Sequence, residues 1–255
     1  METFSNIIKS SSGQTMLYSI GQAGFIIKSR SGQSLGIDLY LSDCVEKVEG
    51  HVGYHRLLPR LVDPEDLQLD ILVATHFHRD HLDVESLPAI MKKGKTFLCC
   101  SFDCAKDIDD LRIDKNRVLF IKPGDKISKG DFDLTFIRCD HGNAAPQAVG
   151  VIVKTDGKTI LETGDTCLHT DWKEEYLSQG PIDILIAPIN GAYGNLNEQD
   201  NIKLTQALQP RLTVPCHFGM FASHGGHPGL WKDMLDTQLP EQKYKIFTQG
   251  EGIII

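Results

Sequence analysis

The sequence predicts an α/β protein in which two β-sheets pack face to face with helices outside, and three observations carry that expectation. Apolar runs come first in hairpin-like pairs, at residues 15–28, 127–139 and 148–162. From residue 172 onward, short apolar runs alternate with segments of helical periodicity. Between the two regions, Asp70-Ile71-Leu72-Val73-Ala74 reads as a buried strand, and it ends directly in a dense cluster of histidine and aspartate.

Taken in order, residues 15–28 give two short strands around a glycine turn, and residues 34–41 a further strand carrying Asp38. Residues 42–66 read as irregular and rich in His, Gly and Pro. A loop of that length without secondary structure is often a lid or binding loop, which makes its polar residues His51, Tyr54, His55 and Arg56 candidates for covering a substrate. Helices are expected at 84–93 and 102–111, with strands at 96–100 and 118–121, the latter closed by Lys122-Pro123-Gly124-Asp125. Lys129-Gly130-Asp131 and Thr155-Asp156-Gly157-Lys158 supply the turns of two hairpins. The last third places helices at 172–179, 199–209 and 230–239, and strands at 183–189 and 212–216. Strands around Gln249-Gly250 close residues 244–255. No internal repeat, low-complexity stretch or linker divides the 255 residues, so one domain spanning 1–255 is expected.

Apolar residues make up 41 % and charged residues 24 %, enough for a sizeable core. The net charge of -8, with no basic run longer than Lys92-Lys93, argues against a nucleic-acid partner. An anionic substrate would then need a local cationic patch or bound metals. Seven cysteines without C-x₂-C spacing read as reduced thiols, and no apolar segment approaches the ~20 residues of a membrane span. The N-terminus lacks the pattern of a signal peptide, so the expected location is cytoplasmic, with no membrane partner. Oligomeric state, a homo-oligomer included, is left open by the sequence.

The chemistry concentrates in Thr75-His76-Phe77-His78-Arg79-Asp80-His81-Leu82-Asp83, where three histidines and two aspartates fall within eight residues. His76 and His78 project to one side of an extended segment, while Asp80 and His81 follow the bend and can face a second ion. Imidazoles and carboxylates this close together are costly to assemble unless a cation holds them, and neutral imidazole with carboxylate suits Zn, Mn or Fe. Ligands tend to bind at the carboxyl ends of strands, and three later strand ends carry metal-competent residues: His141, Asp165 and His217.

The H-x-H-x-D-H pattern, with a later His, Asp and His, resembles the metallo-β-lactamase superfamily over nearly the whole chain. The resemblance implies a four-layer αβ/βα sandwich of two mixed β-sheets flanked by helices. It also implies two divalent metal ions, Zn or Mn with Fe as a further candidate. His76, His78 and His141 would hold the first ion, Asp80, His81 and His217 the second, with Asp165 bridging, while Asp38 supports the site from behind its ligands. Leu61-Val62-Asp63-Pro64, Lys122-Pro123-Gly124-Asp125, Ala192-Tyr193-Gly194-Asn195 and Val214-Pro215-Cys216-His217-Phe218 look like the L-ascorbate-6-phosphate lactonase branch. Its implication is a hydrolase that directs metal-bound hydroxide at a small, phosphorylated sugar lactone. Asp80 then doubles as ligand and catalytic carboxylate. A small anionic substrate needs positive or donor groups, for which His55, Arg56, Tyr193, Asn195 and His224 are the candidates, with His51 as a further histidine in the long loop. His224 and His227, shortly after His217, are candidates either for extra metal ligands or for substrate contacts. A phosphodiesterase or nuclease on the same metals, or a non-catalytic metal-binding scaffold, are the competing expectations.

Overall fold

The computed structural model describes residues 4–10, 13–93 and 95–255. Two mixed sheets are present, as the hairpin-then-alternating pattern predicts. The first contains β1 (Met16–Gly21), β2 (Gly24–Lys28), β3 (Ser34–Ile37), β4 (Ile71–Ala74), β5 (Phe97–Ser101) and β6 (Val118–Ile121). The second contains β7 (Lys126–Lys129), β8 (Phe132–Arg138), β9 (Val149–Thr155), β10 (Lys158–Glu162), β11 (Ile184–Pro188) and β12 (Leu212–Cys216). The last strand, β13 (Gly252–Ile254), returns to the first sheet, giving the order β13-β1-β2-β3-β4-β5-β6. The second sheet runs β12-β11-β10-β9-β8-β7. Hairpin neighbours pair antiparallel, whereas β3-β4-β5-β6 and β10-β11-β12 are parallel.

Period-two alternation sorts the side chains into layers. Phe25, Ile27, Ile71 and Val73 face Phe132, Phe136, Val151 and Ile186 across the space between the sheets. Their neighbours Ile26, Leu72 and Ala74 point the other way, onto α1 (Phe4–Ser10), α3 (Leu87–Lys93) and α4 (Ala105–Asp110). Ile152, Leu161 and Leu185 likewise leave the second sheet to meet α5 (Lys173–Tyr176) and α6 (Glu198–Leu208). Trp231 and Leu235 of α7 (Pro228–Gln238) pack beside Ile202 of α6. Helix, sheet, sheet, helix is the expected four-layer order. Among the described residues, no helix is long and apolar enough to cross a membrane.

Several element boundaries differ from the sequence expectation. β3 ends at Ile37, because Asp38 adopts φ +47, a left-handed conformation that a strand cannot continue and that Asp tolerates better than most residues. Residues 42–66 are not free of structure: α2 (Cys44–Glu49) and a 3₁₀ turn, Gly50–Val52, lie within them. Burial of Cys44, Val45 and Tyr54 against Met220 and Phe221 holds that segment down. In the tail only β13 is a strand, and Tyr244 makes a lone bridge to Thr213. Residues 170–172 are 3₁₀, so α5 is shorter than the segment 172–179.

Candidate metal centre

β4, β8, β10 and β12 all end at one rim of the sandwich, so the residues following them share a small volume. A backbone bond from Val149 N–H to Thr75 O, 3.1 Å, joins the two sheets there. Another, from His217 N–H to Gln22 O at 2.9 Å, ties the loop after β12 to the β1–β2 turn. Gln22, Asp38, Tyr193 and His217 have φ between +47 and +63, four of the seven non-glycine residues with positive φ among those described. Backbone strain of this kind persists only where surroundings over-determine it, and it gathers here at one site.

The donors fall into two converging sets. His76 Nε2 lies 3.0 Å from His78 Nδ1, and His141 Nε2 lies 3.2 Å from the same atom. Three nitrogens held ~2.0–2.1 Å from one tetrahedral ion stand about 3.3 Å apart, so this spacing suits a cation. In the second set, His81 Nε2 is 3.1 Å from His217 Nε2, and Asp80 Oδ2 is 3.6 and 3.3 Å from those two nitrogens. Asp165 Oδ2 sits between the sets, 3.1 Å from His217 Nε2, 3.4 Å from His81 Nε2 and 3.9 Å from His141 Nε2.

Residues behind the donors fix their orientation. Asp38, fully buried, accepts from Thr75 N–H at 2.8 Å, from the Thr75 hydroxyl at 2.6 Å and from His81 Nδ1 at 2.6 Å. That leaves His81 Nε2 free for the site. Having given its only proton to Asp38, the Thr75 oxygen accepts from His76 Nδ1 at 3.1 Å, which aims His76 Nε2 inward as well. Asp83, the last acid of the motif, is turned away. It accepts from Leu41 N–H, Ser42 N–H, the Ser42 hydroxyl and Ser86, and so anchors the chain on either side of the cluster.

Burial, more than any charge, holds His76, His78 and His141 below their ordinary pKa, so they stand as neutral imidazoles, the form that binds metal. Burial opposes ionisation of Asp80 and Asp165, but His81 and His217 outweigh it and keep both carboxylates well below their usual range. Burial also works against charge on His217, yet Asp165 and Asp80 bring it to about 9. Carboxylates buried this deeply require positive charge beside them, and a divalent ion among the same atoms supplies it, so the residues fit the metals that the resemblance implies.

The donors floor a cavity of about 400 Å³. Its walls are Val45, Val48 and Tyr54 from the 42–66 segment, Phe77, Ala144, Tyr193, Phe221 and His224, with Arg79 and Glu49 as the charged groups beyond the donors. Of the candidate substrate contacts, Tyr193 and His224 line the space, and the hydroxyls of Tyr54 and Tyr193 bond each other. Three other candidates are placed elsewhere. The His55 side chain is 62 % exposed and pairs with Glu46 outside the cavity. Arg56 has a side chain only 5 % exposed, its guanidinium donating to the carbonyls of Leu58, Ser42 and Tyr40. Asn195 is buried and donates to Asp165 Oδ2 at 2.8 Å, so it positions a donor and does not reach the cavity. His51 bonds the Val48 carbonyl, and His227 precedes α7 on the surface.

Two residues of this site were not singled out from the sequence. Gln22 donates from Nε2 to Asp80 Oδ2 at 2.9 Å and to His224 Nδ1 at 2.8 Å. Arg79, inside the motif, brings its guanidinium to the cavity while pairing with Asp107 at 2.9 Å. Its place within H-x-H-x-D-H was the one signal available for it.

Fold and donors together define a metal-dependent hydrolase. A family model described as the beta-lactamase superfamily domain matches residues 16–217, and the chain belongs to the metallo-β-lactamase superfamily. It is 26 % identical over 234 residues to a UPF0173 metal-dependent hydrolase of Anaeromyxobacter dehalogenans strain 2CP-C, with 86 % of this chain and 80 % of that protein covered. It is 22 % identical over 288 residues to a protein of Escherichia fergusonii described as "Probable L-ascorbate-6-phosphate lactonase UlaG", covering 91 % of this chain and 77 % of the relative. Among solved structures, Igni18, a metallo hydrolase from the archaeon Ignicoccus hospitalis, superposes with a TM-score of 0.76 at 18 % identity, over 95 % of this chain and 98 % of that one.

Proposed function

We propose that this hydrolase holds two divalent ions, Zn²⁺ or Mn²⁺, and opens the ester bond of a small lactone, with a phosphorylated sugar lactone as the form suggested by the resemblance. The observation that carries the reading is the position of Asp80: one carboxylate oxygen lies among the donors of the second set, and the residue also lines the cavity. When bound, a pair of divalent ions lowers the pKa of water and polarises the carbonyl under attack. Asp80 then orients the attacking water and receives its proton, and Gln22 keeps the carboxylate in place. His224, pushed down to about 4 by burial and by His217, stays neutral and can contact the substrate without adding charge. A cavity of about 400 Å³ suits a small molecule.

One observation favours a second form of the same reading. Beyond the donors, the walls are mostly carbon, and the single cationic wall residue, Arg79, is already paired with Asp107. A lactone with an uncharged, apolar body therefore fits these walls better than one bearing a phosphate. The test is a screen of the metal-loaded protein against paired lactones with and without a phosphate, alongside phosphodiesters and β-lactams. Lactone hydrolysis that falls by about 10²–10⁴ in Asp80→Ala, with the fold intact, is the expected result. Turnover confined to phosphodiesters, or unaffected in Asp80→Ala, overturns it.

A further inference from the structure

Outside the centre described above, the loops after β8 and β10 bring a thiol, an imidazole and a carboxylate together. Cys167 Sγ is 3.2 Å from Asp140 Oδ2 and 3.3 Å from His169 Nε2, and that nitrogen is 2.8 Å from the same Asp140 oxygen. We propose that Asp140, Cys167 and His169 form a separate binding site for a thiophilic divalent cation of the Zn²⁺ class.

The donor types are those that zinc takes, one from each of its ligand classes. An ion ~2.0–2.3 Å from all three atoms needs them about 3.3–3.6 Å apart, so the triad has only to open by a few tenths of an ångström. The loops are fixed without using the three donor atoms. Asp140 N–H donates to the Thr166 hydroxyl at 3.0 Å, and Cys167 N–H donates to the Asp140 carbonyl at 3.0 Å. Gly142 N–H occupies the other Asp140 oxygen at 3.1 Å, leaving Oδ2 for the cation.

His169 is oriented as a metal ligand should be. Its ring stacks on Trp172 with centroids 3.8 Å apart and planes 3° from parallel, and the Arg138 guanidinium lies over the same indole, 4.3 Å from its centroid. Its second nitrogen, Nδ1, lies 3.5 Å from Asp171 Oδ1, so Nε2 is the nitrogen turned toward Cys167 and Asp140. All three residues are half-buried, which leaves room for water as a fourth ligand. The site stands immediately behind the hydrolytic centre: Asp140 precedes His141, and Cys167 follows Asp165 by two positions. A cation here clamps two donor-bearing strand ends to each other from outside.

Cobalt distinguishes the two centres, because the hydrolytic donors are imidazoles and carboxylates, and only the proposed site contains a thiol. Chelator-treated protein is titrated with Co²⁺ and followed by absorption. The expected result is a thiolate-to-cobalt charge-transfer band in the near ultraviolet, whose final intensity corresponds to one thiolate-bound Co²⁺ per chain. The band is lost in Cys167→Ser, and about tenfold more Co²⁺ is needed to raise it in His169→Ala. The visible bands of cobalt bound by imidazole and carboxylate report separately on the hydrolytic centre, and they persist in both variants. Absence of the charge-transfer band in excess Co²⁺, or its survival in Cys167→Ser, overturns the proposal whatever the visible bands do.

Discussion

At the scale of single residues, the side chains that hold the donors matter as much as the donors. The Gln22 amide bridges Asp80 and His224 from a turn whose backbone is left-handed at that position. Removing such a partner typically weakens metal binding by 10–100-fold. Gln22→Ala is therefore expected to lose metal to a competing chromophoric chelator at roughly 10–100-fold lower chelator strength than the parent, with an unchanged far-ultraviolet spectrum. Equal retention by the two proteins would exclude this role. Arg56 makes the opposite case. Its guanidinium is spent on three carbonyls and on the face of Tyr40 at 4.7 Å, so Arg56→Ala should cost about 2–4 kcal/mol in urea unfolding while KM stays within about twofold. A large rise in KM at unchanged stability would return Arg56 to the substrate. The sequence made the histidine cluster legible because its spacing is local and its chemistry dense. Gln22 and Arg56 were not legible, since their roles depend on which loop each reaches: Gln22 meets Asp80 across 58 positions.

Among the elements, those long enough to show periodicity were readable, and those made by tertiary contact were not. α6 and α7 lie within two residues of their expected limits, and both hairpin turns form where Gly130 and Asp156-Gly157 take positive φ. α2 has six residues and a buried face supplied by Phe221 and Met220, which no local pattern reveals. The joint between α6, α7 and β11 rests on Asn201. This fully buried amide donates to the carbonyls of Ala187 and Pro188 at 3.1 and 3.2 Å and accepts from Trp231 Nε1 at 2.8 Å. Trp231→Phe keeps most of the aromatic volume but leaves the Asn201 oxygen buried without its donor, so a loss of about 1–3 kcal/mol is expected. Asn201→Leu strands two carbonyls and one indole N–H, and should cost more than Trp231→Phe. The reverse order in denaturant midpoints would mean that packing, and not the amide, secures the joint.

For the whole molecule, the centre closes one rim of the sandwich. The first sheet delivers His76, His78, Asp80 and His81 through the loop after β4, and the second delivers His141, Asp165 and His217 after β8, β10 and β12. The core between the sheets is a cluster of apolar side chains, so the rim is where buried charge from both must be balanced. Cations bound there connect the two halves and favour the folded chain by RT ln(1 + [L]/Kd), about 4 kcal/mol at a thousand-fold excess over Kd. For a chain of this size, each kcal/mol moves Tm by roughly 2–4 °C, so chelation should lower Tm on the order of 10 °C. A variant that lacks the shared carboxylate, Asp165→Asn, separates this effect from general sensitivity to chelator. It should begin at a lower Tm in the presence of metal, and chelation should move it far less. Were the parent Tm indifferent to chelator, the donors would be no link between the sheets, and the interlayer core alone would hold the rim closed.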